Sequence, residues 1–155
     1  MINIQFILPL LYALPFYFLV SSLNQFFTFL IGLYLGVALL VADEKWLYKF
    51  YIEKSDLARS DYKVQLVTRS MLFLLVYIPL SIFVITSSGS LIGQGLILGM
   101  GIIWLVEMWK LKNNQQAFTN RFLLQVKKEF SLDDIKKLVL VATGFFVLLT
   151  ILVLL

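Results

Sequence analysis

Long apolar runs alternate with short polar connections along this chain. Five runs stand out, at about 4–20, 26–42, 70–85, 91–109 and 135–155. They are separated by SSLNQ (21–25), a charged stretch (43–69), TSSGS (86–90) and a second charged stretch (110–134). Runs near 20 residues match the helix length that spans a hydrocarbon core of about 30 Å. Lipid offers backbone amides no water, so each run must close its hydrogen bonds within a helix. The pattern predicts an all-α integral membrane protein forming a single membrane domain, a five-helix transmembrane bundle. Its parts are a hairpin (4–42), a cytoplasmic interfacial segment (43–69), a second hairpin (70–109), a cytoplasmic amphipathic segment (110–134) and a C-terminal membrane helix (135–155).

Composition agrees, with 61% hydrophobic and only 14% charged residues in 155 positions. Soluble domains run near half apolar and a quarter charged. Cysteine and histidine are both absent. Zinc, haem and iron–sulfur sites therefore lose their usual ligands, and Cys- or His-based catalysis has no residues to use. The sequence calls for no cofactor and no metal.

All thirteen Lys and Arg residues lie in two stretches, Lys45–Arg69 and Lys110–Lys137, and the other two connections carry none. The positive-inside rule places both stretches in the cytoplasm, the N-terminus inside and the C-terminus outside. A bacterial cytoplasmic membrane fits a short multi-pass chain of this kind. The first segment lacks the basic start of a signal peptide, so it is expected to be a span kinked at Pro9 and Pro15. Beside a membrane, a net charge of +4 is accounted for by anionic headgroups, with no nucleic acid implied.

No charged side chain precedes ADEKWLYKFY at 42–51. There the second helix leaves the hydrocarbon, and Trp46, Tyr48 and Tyr51 are expected to anchor it in the headgroup zone, with Trp109 doing the same for the fourth. Phe118, Phe122, Val126 and Phe130 recur every fourth residue among Arg121, Lys127 and Lys128. That spacing predicts a short helix on the bilayer surface, apolar side down and cations toward lipid phosphates. Ser131 followed by Asp133 and Asp134 predicts a capped start for the last helix.

At an offset of 63, Gly32 meets Gly95, Gly36 meets Gly99, Glu44 meets Glu107 and Trp46 meets Trp109. The matches read as a duplicated parallel helical hairpin; the other reading is independent use of glycines and interface anchors in two membrane helices. At 100° per residue Gly36 lies about 40° from Gly32 and Trp46 about 40° on the other side, with Glu44 roughly 120° away. Each helix then offers a small-xxx-small stripe, through which the second and fourth segments pack on each other or form a homodimer.

Function is less legible. The leading expectation is a non-catalytic accessory, scaffold or assembly subunit, working through helix packing and contact with membrane lipids, as a homo-oligomer or with a partner membrane protein. The alternative is a small oligomeric transporter or channel for protons or cations, with Glu44, Glu107 and Gln94 lining its path. A third reading, a membrane-embedded enzyme acting on lipid phosphates, rests on Asp43-Glu44 and Asp133-Asp134 as seats for Mg²⁺. Neither pair belongs to a longer catalytic signature, so no catalytic residue is assigned.

Overall fold

The computed structural model describes residues 4–19, 22–47, 67–87, 89–126 and 130–154, all of its regular elements helical. Five long helices pack side by side: α1 (Ile4–Leu19), α2 (Leu23–Ala42), α3 (Met71–Ser87), α4 (Leu91–Leu111) and, after the short α5 (Gln115–Phe122), α6 (Leu132–Leu154). Three of these are long and apolar enough to cross a membrane: α2 with its extension to Trp46, α4 and α6. α1 and α3, at 16 and 17 residues, are shorter apolar helices. The chain is thus a helical protein with the apolar helices of a membrane protein.

Polar side chains set the helix starts. Ser22 accepts from Gln25 N, Ser90 from Gly93 N, and Asn114 from Ala117 N, each filling one of the amides a first turn leaves open. Ser70 does the same for α3, accepting from Phe73 N at 3.1 Å. At the start of α6, Ser131 and Asp134 form a reciprocal box: Ser131 N donates to Asp134 Oδ2 and Asp134 N donates to Ser131 Oγ. Gly89, at φ 55°, makes the turn between α3 and α4 in a conformation that side chains disfavour.

α2 and α4 lie closest together, and glycine is the reason. A Cβ built on Gly32 would fall on the carbonyl of Ile92, and one on Gly36 on the carbonyl of Leu96. Reciprocally, a Cβ on Gly95 would meet the carbonyl of Phe29, and one on Gly99 that of Leu33. Contacts advance in step along both helices, so α2 and α4 run parallel. The pairs Gly32–Ile92 and Gly95–Phe29 exchange under the 63-residue offset, as do Gly36–Leu96 and Gly99–Leu33. The sequence offset is therefore also a local pseudo-two-fold between backbones, with its axis between the two helices. Lipid provides no hydrophobic drive for helices to associate, so dispersion between close backbones is what such a contact offers.

The other helices close around this pair through aromatic contacts. Phe16 stacks on Phe29 with ring centroids 4.5 Å apart, joining α1 to α2. Tyr77 and Phe73 of α3 meet Trp104 of α4 edge-on, at 4.5 and 5.6 Å. α6 is tied to α1 by Tyr12 Oη and Thr150 Oγ1 at 2.7 Å, and to α4 by Trp109 Nε1 donating to Thr143 Oγ1 at 3.0 Å. Most of α6 nevertheless faces outward, with Leu140 and Val141 among its exposed side chains.

Two expectations are corrected. α5 does not lie apolar side down on lipid. Its Phe118 and Phe122 are fully buried in the protein core, and the helix ends at Phe122, before Val126 and Phe130. Burial against α4 and α6 removes more apolar surface than a headgroup zone would. Trp46, placed by α-helical phase near the glycine face, is instead 77% exposed. After Ala42 the helix continues as a π turn, Asp43–Leu47. An i→i+5 turn absorbs an extra residue and rotates the side chains beyond it out of α phase. Asp43, seven residues after Gly36 and three after Leu40, keeps the buried face by α phase, ahead of that rotation.

Candidate site: a closed charge cluster at one end of the bundle

The C-terminal ends of α2 and α4 and the N-terminal end of α3 meet at one end of the bundle. A 3-10 turn, Val67–Arg69, leads into α3 there and brings Thr68 and Arg69 inward. Arg69 is 1% exposed. Its Nε donates to Glu107 Oε2 at 3.1 Å and its Nη2 to Glu107 Oε1 at 2.6 Å, a two-bond fork of the kind guanidinium geometry suits. Nη1 donates to the Leu40 carbonyl at 3.0 Å and to Thr68 Oγ1 at 3.1 Å. Nη2 also lies 3.5 Å from Glu44 Oε2. Every guanidinium nitrogen is thus engaged, and the Leu40 bond puts a cation against the last turn of α2, where the helix dipole favours one.

Asp43 is equally enclosed, at 2% exposure. Its Oδ2 accepts from Thr68 N at 2.9 Å and from the Thr68 hydroxyl. That hydroxyl passes its proton side to Asp43 and takes Arg69 on its lone pair, so Asp43, Thr68 and Arg69 form one chain. The burial of a carboxylate is offset by these bonds.

Arg121, from α5, closes the outer edge. Its Nη2 stands 3.1 Å from Glu44 Oε1 and 3.4 Å from Glu107 Oε2. The cation expected to face lipid phosphates therefore turns inward, and docking of Phe118 and Phe122 is what aims it. Three carboxylates and two guanidinium groups make up the cluster. Among the described residues Glu44 and Arg121 are its most exposed members, with side chains 42% and 30% exposed against 11% for Glu107.

Of the three side chains proposed for an ion path, Glu44 and Glu107 are brought together and Gln94 is not. Gln94 sits thirteen residues before Glu107 on α4, about 20 Å away along the axis. Its Nε2 lies 3.5 Å from the Ile85 carbonyl, across the α3–α4 turn. Asp133 and Asp134 are also apart from the cluster: Asp134 caps α6, and Asp133 lies 4.0 Å from Lys136. Among the described residues, no three Asp or Glu side chains gather as a metal-binding group. Trp109 is half exposed and carries Lys112 Nζ 3.6 Å over its ring. Tyr48 and Tyr51 lie outside the described residues.

Sequence reasoning missed Asp43, Thr68 and Arg69 as cluster members. Arg69 is the last of six cations in its stretch, and no spacing distinguishes it from the others. Its immediate setting, a basic residue one position before a Ser-capped apolar helix, was the available signal. Compared with known protein families, with characterised proteins and with solved structures, the chain matches none.

Proposed function

We propose that this chain is a five-span membrane protein with a non-catalytic role, an accessory, scaffold or assembly subunit. Its charged end faces the cytoplasm and its C-terminus lies outside. The observation that carries the role is the closure of the charge cluster. Glu44 and Glu107, the carboxylates best placed to move an ion, are paired with Arg69 and Arg121. An ion crossing there would have to displace guanidinium groups already held by several bonds each. The cluster instead ties α2, α3, α4 and α5 into one body, as a structural staple does.

Support for five spans comes from direction. α2 and α4 both have the length of a span and run parallel. If both cross the membrane, α3 must carry the chain back between them. Its 17 residues rise about 25 Å, short of a 30 Å core but within reach of local thinning. α1 pairs antiparallel with α2 through Tyr17–Phe26 and Phe16–Phe29.

One surface open to a partner, or to a second copy of the chain, is the outer face of α6, whose outward residues include Leu140, Val141, Leu148 and Ile151. Gentle extraction at natural abundance followed by native mass spectrometry tests the role. The expected result is a stoichiometric membrane-protein assembly that is lost on Val141→Trp with Leu148→Trp. Proton or cation flux into sealed vesicles, abolished by Glu44→Gln with Glu107→Gln, would overturn it in favour of transport.

A further inference from the structure

An open groove of about 780 Å³ runs between α1 and α4 with Phe146 of α6 as its floor. Leu8, Leu11 and Leu105 line its walls, and the one charged side chain on it is Lys110, at the end where α4 leaves the apolar zone. Along α4 it extends from Ile102 to Lys110, about 12 Å of helix rise. One leaflet of a 30 Å hydrocarbon core is about 15 Å deep. The groove is thus nearly one leaflet long, apolar along its length and cationic at its mouth.

A second cation belongs to the same mouth. Trp109 lines the groove and holds Lys112 Nζ over its ring, while its own indole N–H is fixed by Thr143. Among the described residues neither Lys110 nor Lys112 meets a carboxylate. Glu107, one turn before Lys110, is turned away to Arg69 and Arg121. Among the described residues the positive charge at this mouth has no counter-ion within salt-bridge distance. A long lysine stem can follow the apolar wall while its ammonium reaches the headgroup level.

We propose that this groove binds an anionic glycerophospholipid of the cytoplasmic leaflet, its phosphate at Lys110 and Lys112 and one acyl chain between α1 and α4. The proposal rests on the membrane placement of the chain and not on its role as a subunit. The neighbouring cavity between α3, α4 and α6, about 230 Å³ and bordered by Trp104 and Phe145, has no charged side chain and supplies no headgroup selectivity.

Native mass spectrometry of the purified full chain, equilibrated with equal phosphatidylglycerol and phosphatidylcholine, tests it. The expected result is one phosphatidylglycerol retained in preference by about fivefold to thirtyfold, the range for one or two lysines at an anionic surface. Lys110→Gln with Lys112→Gln brings the two lipids to parity. Leu11→Trp, which narrows the groove and leaves both lysines, lowers retention of either lipid, and decides the matter should the double variant fold poorly. Equal retention by the native chain, or a preference that survives both variants, overturns the site. Release of the bound species by millimolar inorganic phosphate overturns the acyl-chain contact, since a headgroup held alone would exchange.

Discussion

Glu44 and Glu107, 63 positions apart in the sequence, stand on the same guanidinium nitrogen of Arg121, at 3.1 and 3.4 Å. The same offset relates Gly32 to Gly95 and Gly36 to Gly99, whose backbones touch higher in the bundle. Two helices matched at this offset therefore contribute one carboxylate each to a shared position. Two like charges at such a meeting point repel unless cations separate them. Arg69 and Arg121, which have no counterpart under the offset, supply those cations from the asymmetric parts of the chain. The pseudo-symmetry of α2 and α4 is thereby closed by residues that break it.

Arg69→Met should cost about 3–5 kcal/mol of stability, because it leaves Glu107 and the Leu40 carbonyl without their buried donor. Arg69→Met combined with Glu107→Met should recover most of that loss, since an apolar pair of similar volume removes both desolvated charges. Thermal or denaturant unfolding in micelles measures the cycle. Additive losses, with no coupling between the two positions, would show that the fork contributes nothing.

Gly36→Ala and Gly99→Ala should each destabilise by about 1–3 kcal/mol, because their Cβ atoms meet backbone rather than a movable side chain. Gly144→Ala is the contrast. It lies mid-helix in α6 with nothing within 4 Å of the added carbon. There the gain in helix propensity, about 0.5–1 kcal/mol, should raise the unfolding midpoint. Midpoints that shift alike at all three positions would mean that α2 and α4 are not in close contact.

The legible part of this architecture is the part written in periodicity. Apolar runs and turn residues place the helices, and Gly32, Gly36, Gly95 and Gly99 stand out because they repeat in one register four residues apart. Asp43 reads as the first charge past a helix end, although its spacing from Gly36 and Leu40 puts it on the buried face. What its neighbours do not signal is its partner: Thr68, twenty-five positions on, donates its backbone N–H and its hydroxyl to the Asp43 carboxylate. Arg121 carries the same lesson. Its spacing with Phe118 and Phe122 marks one helix face correctly, but the same face serves lipid or protein equally well, and only the packed structure tells which.

Ser131→Ala should weaken the first turn of α6 by about 1 kcal/mol, the usual effect of losing a cap. It removes the oxygen that accepts from Asp134 N and the hydroxyl that donates to Asp134 Oδ2. Amide exchange read residue by residue should quicken at 132–136 and stay unchanged past Val139, which is buried against the core. Uniform quickening along α6 would place the stability of this helix in its cap rather than in its packing.

The absence of cysteine makes the direction of each helix directly measurable, since any introduced thiol is unique. Asn24 and Ser87 lie exposed at one end of the bundle, and Asn113 and Gln125 exposed near the charge cluster. In intact cells a membrane-impermeant maleimide should label Asn24→Cys and Ser87→Cys at once, and Asn113→Cys and Gln125→Cys only after permeabilisation. The parallel course of α2 and α4 makes Ser87 the decisive position. It stands between the end of α3 and the start of α4, so the side on which it reacts reports whether α3 has crossed. Labelling of Ser87→Cys from the same side as Asn113→Cys would mean that α4 does not span, and with it the glycine-packed pair could not lie upright in a bilayer.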